Sequence, residues 1–213
     1  MSHVHSHHKS VLKRALLLIA AFMLVEIAGG LLTNSLALLS DAGHMLSDAI
    51  ALGLSLAAFH WSERPTTLKN TFGYRRGEII AAALNGLTLA AIVLWIVIEA
   101  IGRLLHPPEV ASIGMLAVAV IGLAVNILIA VWMHRGSDIH HNLNMKSAYL
   151  HVLGDLLGSV SAILAALLML AFGWRWADPL VSLLIAALIG KSSIGVLKSA
   201  LHILMEGTPA HID

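Results

Sequence analysis

The chain alternates between long apolar runs and short polar breaks. Six runs stand out, at about 12–32, 36–60, 78–104, 112–134, 146–171 and 177–204. Each approaches or exceeds the roughly 20 residues that a helix needs to cross a hydrocarbon core about 30 Å thick. The breaks have turn chemistry: Thr33-Asn34-Ser35, His106-Pro107-Pro108 and Phe172-Gly173-Trp174. The pattern predicts an all-α membrane protein with six transmembrane helices. The first run is too long for a cleavable signal peptide, and no small-x-small exit into soluble sequence follows it. The expected layout is a His-rich tail over 1–11, a six-helix domain over 12–205 and a short C-terminal tail over 206–213.

The basic residues orient these spans. Lys9, Lys13 and Arg14 precede the first, and Arg64, Lys69, Arg75 and Arg76 lie between the second and third. Arg135 and Lys146 separate the fourth and fifth, while Lys191 and Lys198 sit in the last half of the sixth. Alternating spans place all of these on one side and leave only Arg103 and Arg175 on the other. Basic loops stay in the cytoplasm, so both termini are expected there. Trp61 near one face, and Trp174 and Trp176 near the other, suit aromatic belts.

Composition agrees and narrows the chemistry. The chain of 213 residues is 58% hydrophobic and 12% charged, with a mean hydropathy of +0.86. Membrane lipid is therefore the expected surroundings. A net charge of +1 gives no reason to expect a nucleic-acid partner. Without cysteine, a transition-metal site must draw on His, Asp, Glu or backbone.

Ionisable residues at bilayer depth are costly and by default signal function. His44 and Asp48 lie four apart in the second span, and His151 and Asp155 four apart in the fifth. That spacing puts each pair on one helix face. The segments SDAGHMLSDAIALGLSLAA and SAYLHVLGDLLGSVSAILA also align at an offset of 107, matching Ser40, His44 and Asp48 to Ser147, His151 and Asp155. Matching motifs on oppositely directed helices are a transporter pattern, with the site at the repeat interface. Two imidazoles and two carboxylates suit tetrahedral Zn²⁺ and suit Ca²⁺ or Mg²⁺ poorly. The competing reading is hydrogen-bonded glue between helices.

Further polar residues carry two readings each. Asp41 shares the His44 face and reads as a group orienting that imidazole, as a ligand at the mouth, or as a helix cap. Asn126 and Asn85 read as interhelical hydrogen bonders or path lining, with structure favoured. Glu78 reads as an ion-pair lock or a solvated group. Glu26 and Glu99 are expected to be neutralised or paired with an arginine, and Asp178 to serve its own helix start. Gly154 and Gly158 permit close helix approach. His3, His5, His7 and His8, and likewise His140 and His141, read as weak metal capture or as inconsequential tail and loop.

Taken in order, SLALLSDAGHMLSDAIALGLSLAA, FGYRRGEIIAAALNG, NMKSAYLHVLGDLLGSV, ADPLVSLLIA and LMEGTP resemble the cation diffusion facilitator family, in its zinc-type branch. The resemblance runs from about Leu12 to Pro209. It implies export of a divalent cation, Zn²⁺ or Cd²⁺, from the cytosol in exchange for protons, by a homodimer in the inner (plasma) membrane. It assigns the transport site to His44, Asp48, His151 and Asp155. Manganese-type members tend to carry Asp in place of the His. Family members usually continue into a cytoplasmic α/β domain, and none is expected in the few residues between Pro209 and Asp213. A metal site in the loop after the second span has only His60 and Glu63 to draw on.

The expected protein is thus a secondary active transporter and no enzyme, with Zn²⁺ as substrate and H⁺ as counter-ion. Metal and protons compete, because Zn²⁺ needs neutral imidazole and ionised carboxylate. Free imidazole titrates near pH ~6.5, which suits His44 and His151 as carriers of the coupled protons. An intramembrane metalloenzyme is the first rival, and the chain lacks the His-Glu-x-x-His it would need. The other is a membrane metal sensor or structural protein without turnover.

Overall fold

A computed structural model describes residues 2–62, 76–136 and 143–208, without the side chains of 2–16, 52, 55–62, 76, 78, 133, 135–136, 143–148 and 150–151. The described residues form six helices joined by turns: α1 (Ser2–Thr33), α2 (Leu36–Ser62), α3 (Arg76–Leu105), α4 (Ser112–Gly136), α5 (Leu143–Phe172) and α6 (Ala177–Leu204). They follow the six apolar runs closely. The largest difference is at the start, where α1 runs back to Ser2 through the segment read as a tail. His3, His5, His7 and His8 therefore have helical backbone, and their side chains lie outside the described residues.

Each outer turn has a visible cause. Asn34 takes φ 58°, a left-handed turn that asparagine tolerates, and reverses the chain between α1 and α2. Ser35 then caps α2, its Oγ accepting from Leu38 N at 3.3 Å. Pro107 and Pro108 end α3. Gly173, at φ 63°, ends α5, and its N–H donates to Met169 O at 3.0 Å.

The helices close into a ring in the order α1, α2, α3, α6, α5, α4, with α2 also touching α5 and α6 across it. Small residues hold the centre together. Ala37, Ala119, Ala162, Ala165, Ala166 and Ala177 cluster with Leu38, Met115 and Met169 where α2, α4, α5 and α6 meet. Such residues let helix backbones approach closely when lipid supplies no hydrophobic driving force between helices.

The three described turns gather at one end. Ala111 N donates to Thr33 O at 2.9 Å, and Arg103 donates to Asn34 O at 2.6 Å and to Asn34 Oδ1 at 3.0 Å. Arg175 pairs with Glu109 at 3.1 Å. Only helices that alternate up and down can bring these turns together, so α2 and α5 are antiparallel. Arg103 also binds Glu99 at 2.8 Å, the arginine partner expected for that acid.

Leu94, Ile98, Ile113, Leu157 and Leu188 stand among the exposed large apolar side chains. Among the described residues, four helices are long and apolar enough to cross a membrane: Ile79–Leu105, Ser112–Trp132, Val152–Phe172 and Ala177–Leu204. Leu17–Thr33 is a shorter apolar helix among the described residues. The chain is an all-α, multi-pass membrane protein.

Candidate metal pathway between helices 2, 5 and 6

A cavity of about 300 Å³ opens between α2, α5 and α6. Asp41 and His44 line it from α2, Gly154, Asp155, Gly158 and Ser161 from α5, and Ile185, Ile189 and Ser192 from α6. On its polar face Asp41, His44 and Asp155 were singled out in the sequence, while Ser161 and Ser192 were not. Apolar side chains make up the rest, which keeps the local dielectric low and strengthens attraction to a cation.

The α2 pair is formed as the i, i+4 spacing predicts. His44 Nε2 lies 3.6 Å from Asp48 Oδ2, and both side chains are partly exposed. Asp155 is buried, at 3% exposure. The side chain of His151 lies outside the described residues, as does that of Glu78; His140 and His141 lie outside them altogether. Among the described residues no three His, Asp or Glu side chains already stand in metal-binding geometry. The structure therefore brings Asp41, His44 and Asp155 onto one cavity and pairs Asp48 with His44, with Asp48 off the cavity lining.

Helix register relates the two motifs. A Cβ at Gly158 would sit 2.9 Å from Asp41 Oδ1, so α5 presses against the Asp41 carboxylate with no room for a side chain. From that contact, equal steps along antiparallel helices keep residues level. Three steps bring His44 level with Asp155, and four more bring Asp48 level with the backbone of His151. The two levels lie about 6 Å apart, at a rise of about 1.5 Å per residue.

Asp41 is not a helix cap. The helix begins at Leu36, which places Asp41 in its second turn, buried at 5% exposure. Glu26 from α1 is buried beside it, at 1% exposure. Glu26 was expected to be neutralised or paired with an arginine; the group beside it is another acid, Asp41. Glu26, Asp41 and Asp155 lie close enough to interact electrostatically, so a concentration of acid adjoins the cavity. Sequence spacing could not pair Glu26 with Asp41 across two helices. The only signal was an acid inside an apolar run.

Two polar residues have structural partners away from the cavity. Asn126 donates from Nδ2 to Ser159 Oγ at 3.2 Å, joining α4 to α5. Asn85 accepts from Ser47 Oγ at 3.2 Å, joining α3 to α2. Neither lines the cavity. Asp178, expected to serve its own helix start, turns instead toward α2, where Ser35 Oγ donates to it at 2.7 Å.

Known proteins place this geometry in a family. The model of the cation efflux transmembrane domain matches residues 12–205. A cadmium, cobalt and zinc/H(+)-K(+) antiporter of Bacillus velezensis is 53% identical over 217 residues, spanning 100% of this chain and 69% of the relative. The antiporter of the same description from Bacillus subtilis is 53% identical over 215 residues, with coverages of 100% and 69%. The zinc transporter ZitB of Escherichia coli is 47% identical over 222 residues, spanning 100% of this chain and 71% of that protein. The chain belongs to the cation efflux family, in the zinc-type branch of the cation diffusion facilitators.

Proposed function

We propose that this protein exports Zn²⁺, and Cd²⁺ with it, in exchange for protons, by exposing one intramembrane site to each side in turn. The observation that carries the reading is the convergence of Asp41, His44 and Asp155 on one cavity between α2, α5 and α6. The transport activity follows that of the relatives, described as a cadmium, cobalt and zinc/H(+)-K(+) antiporter and as zinc transporters. The protein is a secondary active transporter of the inner membrane and performs no catalytic turnover.

The transported ion is held by His44, Asp48, His151 and Asp155. The level register of α2 and α5 supports this set, and so does its chemistry: mixed nitrogen and oxygen donors favour Zn²⁺ over the harder Mg²⁺ and Ca²⁺. Asp41 lines the cavity beside His44, and Glu26 lies behind it, so a pair of acids adjoins the proposed ligands. Protons compete for the same imidazole and carboxylate atoms, which couples metal release to proton entry.

All six helices span the membrane, with residues 12–205 as the transport unit and both termini in the cytoplasm. The described turns then face outward, and the loops after α2 and α4 face the cytosol. Their basic residues support that orientation. Two copies work as a homodimer, joined through membrane helices. His3, His5, His7, His8, His140 and His141 capture metal weakly at the cytoplasmic mouth, where Glu78 stands at the inner end of α3.

Inverted vesicles carrying the protein test the reading. With an inward-acid proton gradient they are expected to accumulate ⁶⁵Zn²⁺, and Asp155→Ala to abolish accumulation while the protein still inserts. Wild-type rates in Asp155→Ala would overturn the site, and vesicles that bind zinc without accumulating it would overturn transport.

A further inference from the structure

The first turn of α2 is held from another helix. Asp178, near the start of α6, is completely buried. Its Oδ1 accepts from Ser35 Oγ at 2.7 Å and from Ala37 N at 3.2 Å, and its Oδ2 accepts from Leu36 N at 2.8 Å. Arg103 of α3 brings Nη1 to 3.9 Å from Asp178 Oδ2. Carboxylates often serve the N-terminus of their own helix. This one serves a helix whose first turn lies 143 positions away in sequence. It lies outside the cavity lining, so its role is not contact with the metal.

A helix is stiff, so fixing its first turn fixes the turns beyond it. His44 comes nine residues after Ser35, which sets its depth about 13 Å from the join at a rise of about 1.5 Å per residue. The join also fixes rotation about the α2 axis, and with it the direction in which the His44–Asp48 face points. At its other side the join belongs to α6, whose Ile185, Ile189 and Ser192 wall the cavity. One carboxylate therefore links the helix bearing half the proposed ligands to the helix that encloses them.

We propose that Asp178 is a positioning residue for transport: by holding the first turn of α2 against α6, it sets the depth and rotation at which His44 and Asp48 meet α5. The inference rests on His44 and Asp48 acting as metal ligands. Its burial makes the join a fixed pivot. Breaking it in every cycle would strand a carboxylate and two backbone N–H groups without partners. The helices rock about this point, and the ligand pair of α2 keeps its register through the cycle.

Transport kinetics separate positioning from mere folding. Initial rates of Zn²⁺ and Cd²⁺ uptake would be measured in vesicles carrying wild type, Asp178→Asn and Ser35→Ala. Asparagine places an amide donor where one acceptor oxygen stood, facing backbone donors. Ser35→Ala removes only the hydroxyl link. A displaced α2 pair suits the tight bonds of Zn²⁺ less well but still accommodates the larger Cd²⁺. Asp178→Asn is therefore expected to raise the KM for Zn²⁺ about tenfold or more, in the range seen when groups that orient metal ligands are lost. The KM for Cd²⁺ should rise less, and Ser35→Ala should move both in the same direction by a smaller factor. Equal falls in maximal rate for both metals at unchanged KM, or unchanged kinetics in Ser35→Ala and Asp178→Asn alike, would overturn the proposal. Wild-type vesicles that accumulate neither metal would instead overturn the transport reading beneath it.

Discussion

Asp41 and Gly158 touch across the α2–α5 seam so closely that a Cβ at position 158 would lie 2.9 Å from Asp41 Oδ1. That contact sets the register in which His44 stands level with Asp155. Gly158→Ala must therefore push the two helices apart or turn the Asp41 carboxylate away. Overpacking of this kind costs about 1–3 kcal/mol. Zinc affinity measured by calorimetry in detergent is expected to fall about tenfold, the equivalent of about 1.4 kcal/mol. Gly102→Ala, whose Cβ would meet nothing within 4 Å, serves as the control and should bind as wild type does.

Metal binding should appear as stability. A ligand that binds only the folded state at 100 times its Kd stabilises by about 2.7 kcal/mol. Thermal unfolding of the purified protein is expected to move upward with added Zn²⁺. Asp155→Asn keeps the shape of the side chain and removes the charge proposed to hold the ion, so the zinc-dependent shift should vanish. A zinc shift of wild-type size in Asp155→Asn would remove Asp155 from the ligand set.

Selectivity should follow the donor atoms at His44. Replacing an imidazole nitrogen with a carboxylate makes the site harder and favours ions such as Mn²⁺. His44→Asp is expected to lower the ratio of Zn²⁺ to Mn²⁺ uptake in vesicles. An unchanged ratio would argue that His44 lines the path without binding the ion.

Asn126 separates a structural role from a transport role. Its hydrogen bond to Ser159 is buried, with both residues at 3% exposure or less. Interhelical hydrogen bonds in membranes average about 0.6 kcal/mol and reach about 1.7. Asn126→Leu should therefore lower thermal stability slightly and leave zinc uptake per folded molecule near wild type. A large loss of uptake at normal stability would return Asn126 to the pathway.

Helices and ligand candidates were legible in the sequence because their signals are local. Apolar run length predicted α2 through α6 to within a few residues, and the four-residue spacing of His44 and Asp48 predicted their shared face. The relations that organise the site were not local. Asp178 and Ser35 are 143 positions apart, and neither residue advertises the other. Asp41 resembled a cap because it lies near the start of an apolar run, yet Ser35 already supplies the cap and Asp41 turns inward to Glu26. Gly154 and Gly158 looked alike in sequence, but only Gly158 has a neighbour within 4 Å of its Cβ position. Which glycine matters depends on helix crossing, which spacing does not encode.

Arg103 gives the last prediction, because its partners differ in burial. Glu99 is 42% exposed in its side chain, while Asp178 is completely buried. An exposed ion pair contributes about 0–1 kcal/mol, so Glu99→Gln should scarcely change the unfolding temperature. Removing one member of a buried pair costs about 3–5 kcal/mol, because it strands the other charge. Asp178 keeps its three hydrogen bonds and sits 3.9 Å from the guanidinium, which argues for the lower end of that range. Arg103→Leu also frees the Asn34 carbonyl and side chain at the α1–α2 turn. Arg103→Lys keeps a charge but loses the planar fork that reaches Glu99 and both Asn34 oxygens together. Thermal unfolding is therefore expected to rank the proteins as wild type and Glu99→Gln together, then Arg103→Lys, then Arg103→Leu. A Glu99→Gln variant as unstable as Arg103→Leu would mean that the exposed pair, and not the buried carboxylate, holds the outer end of α3.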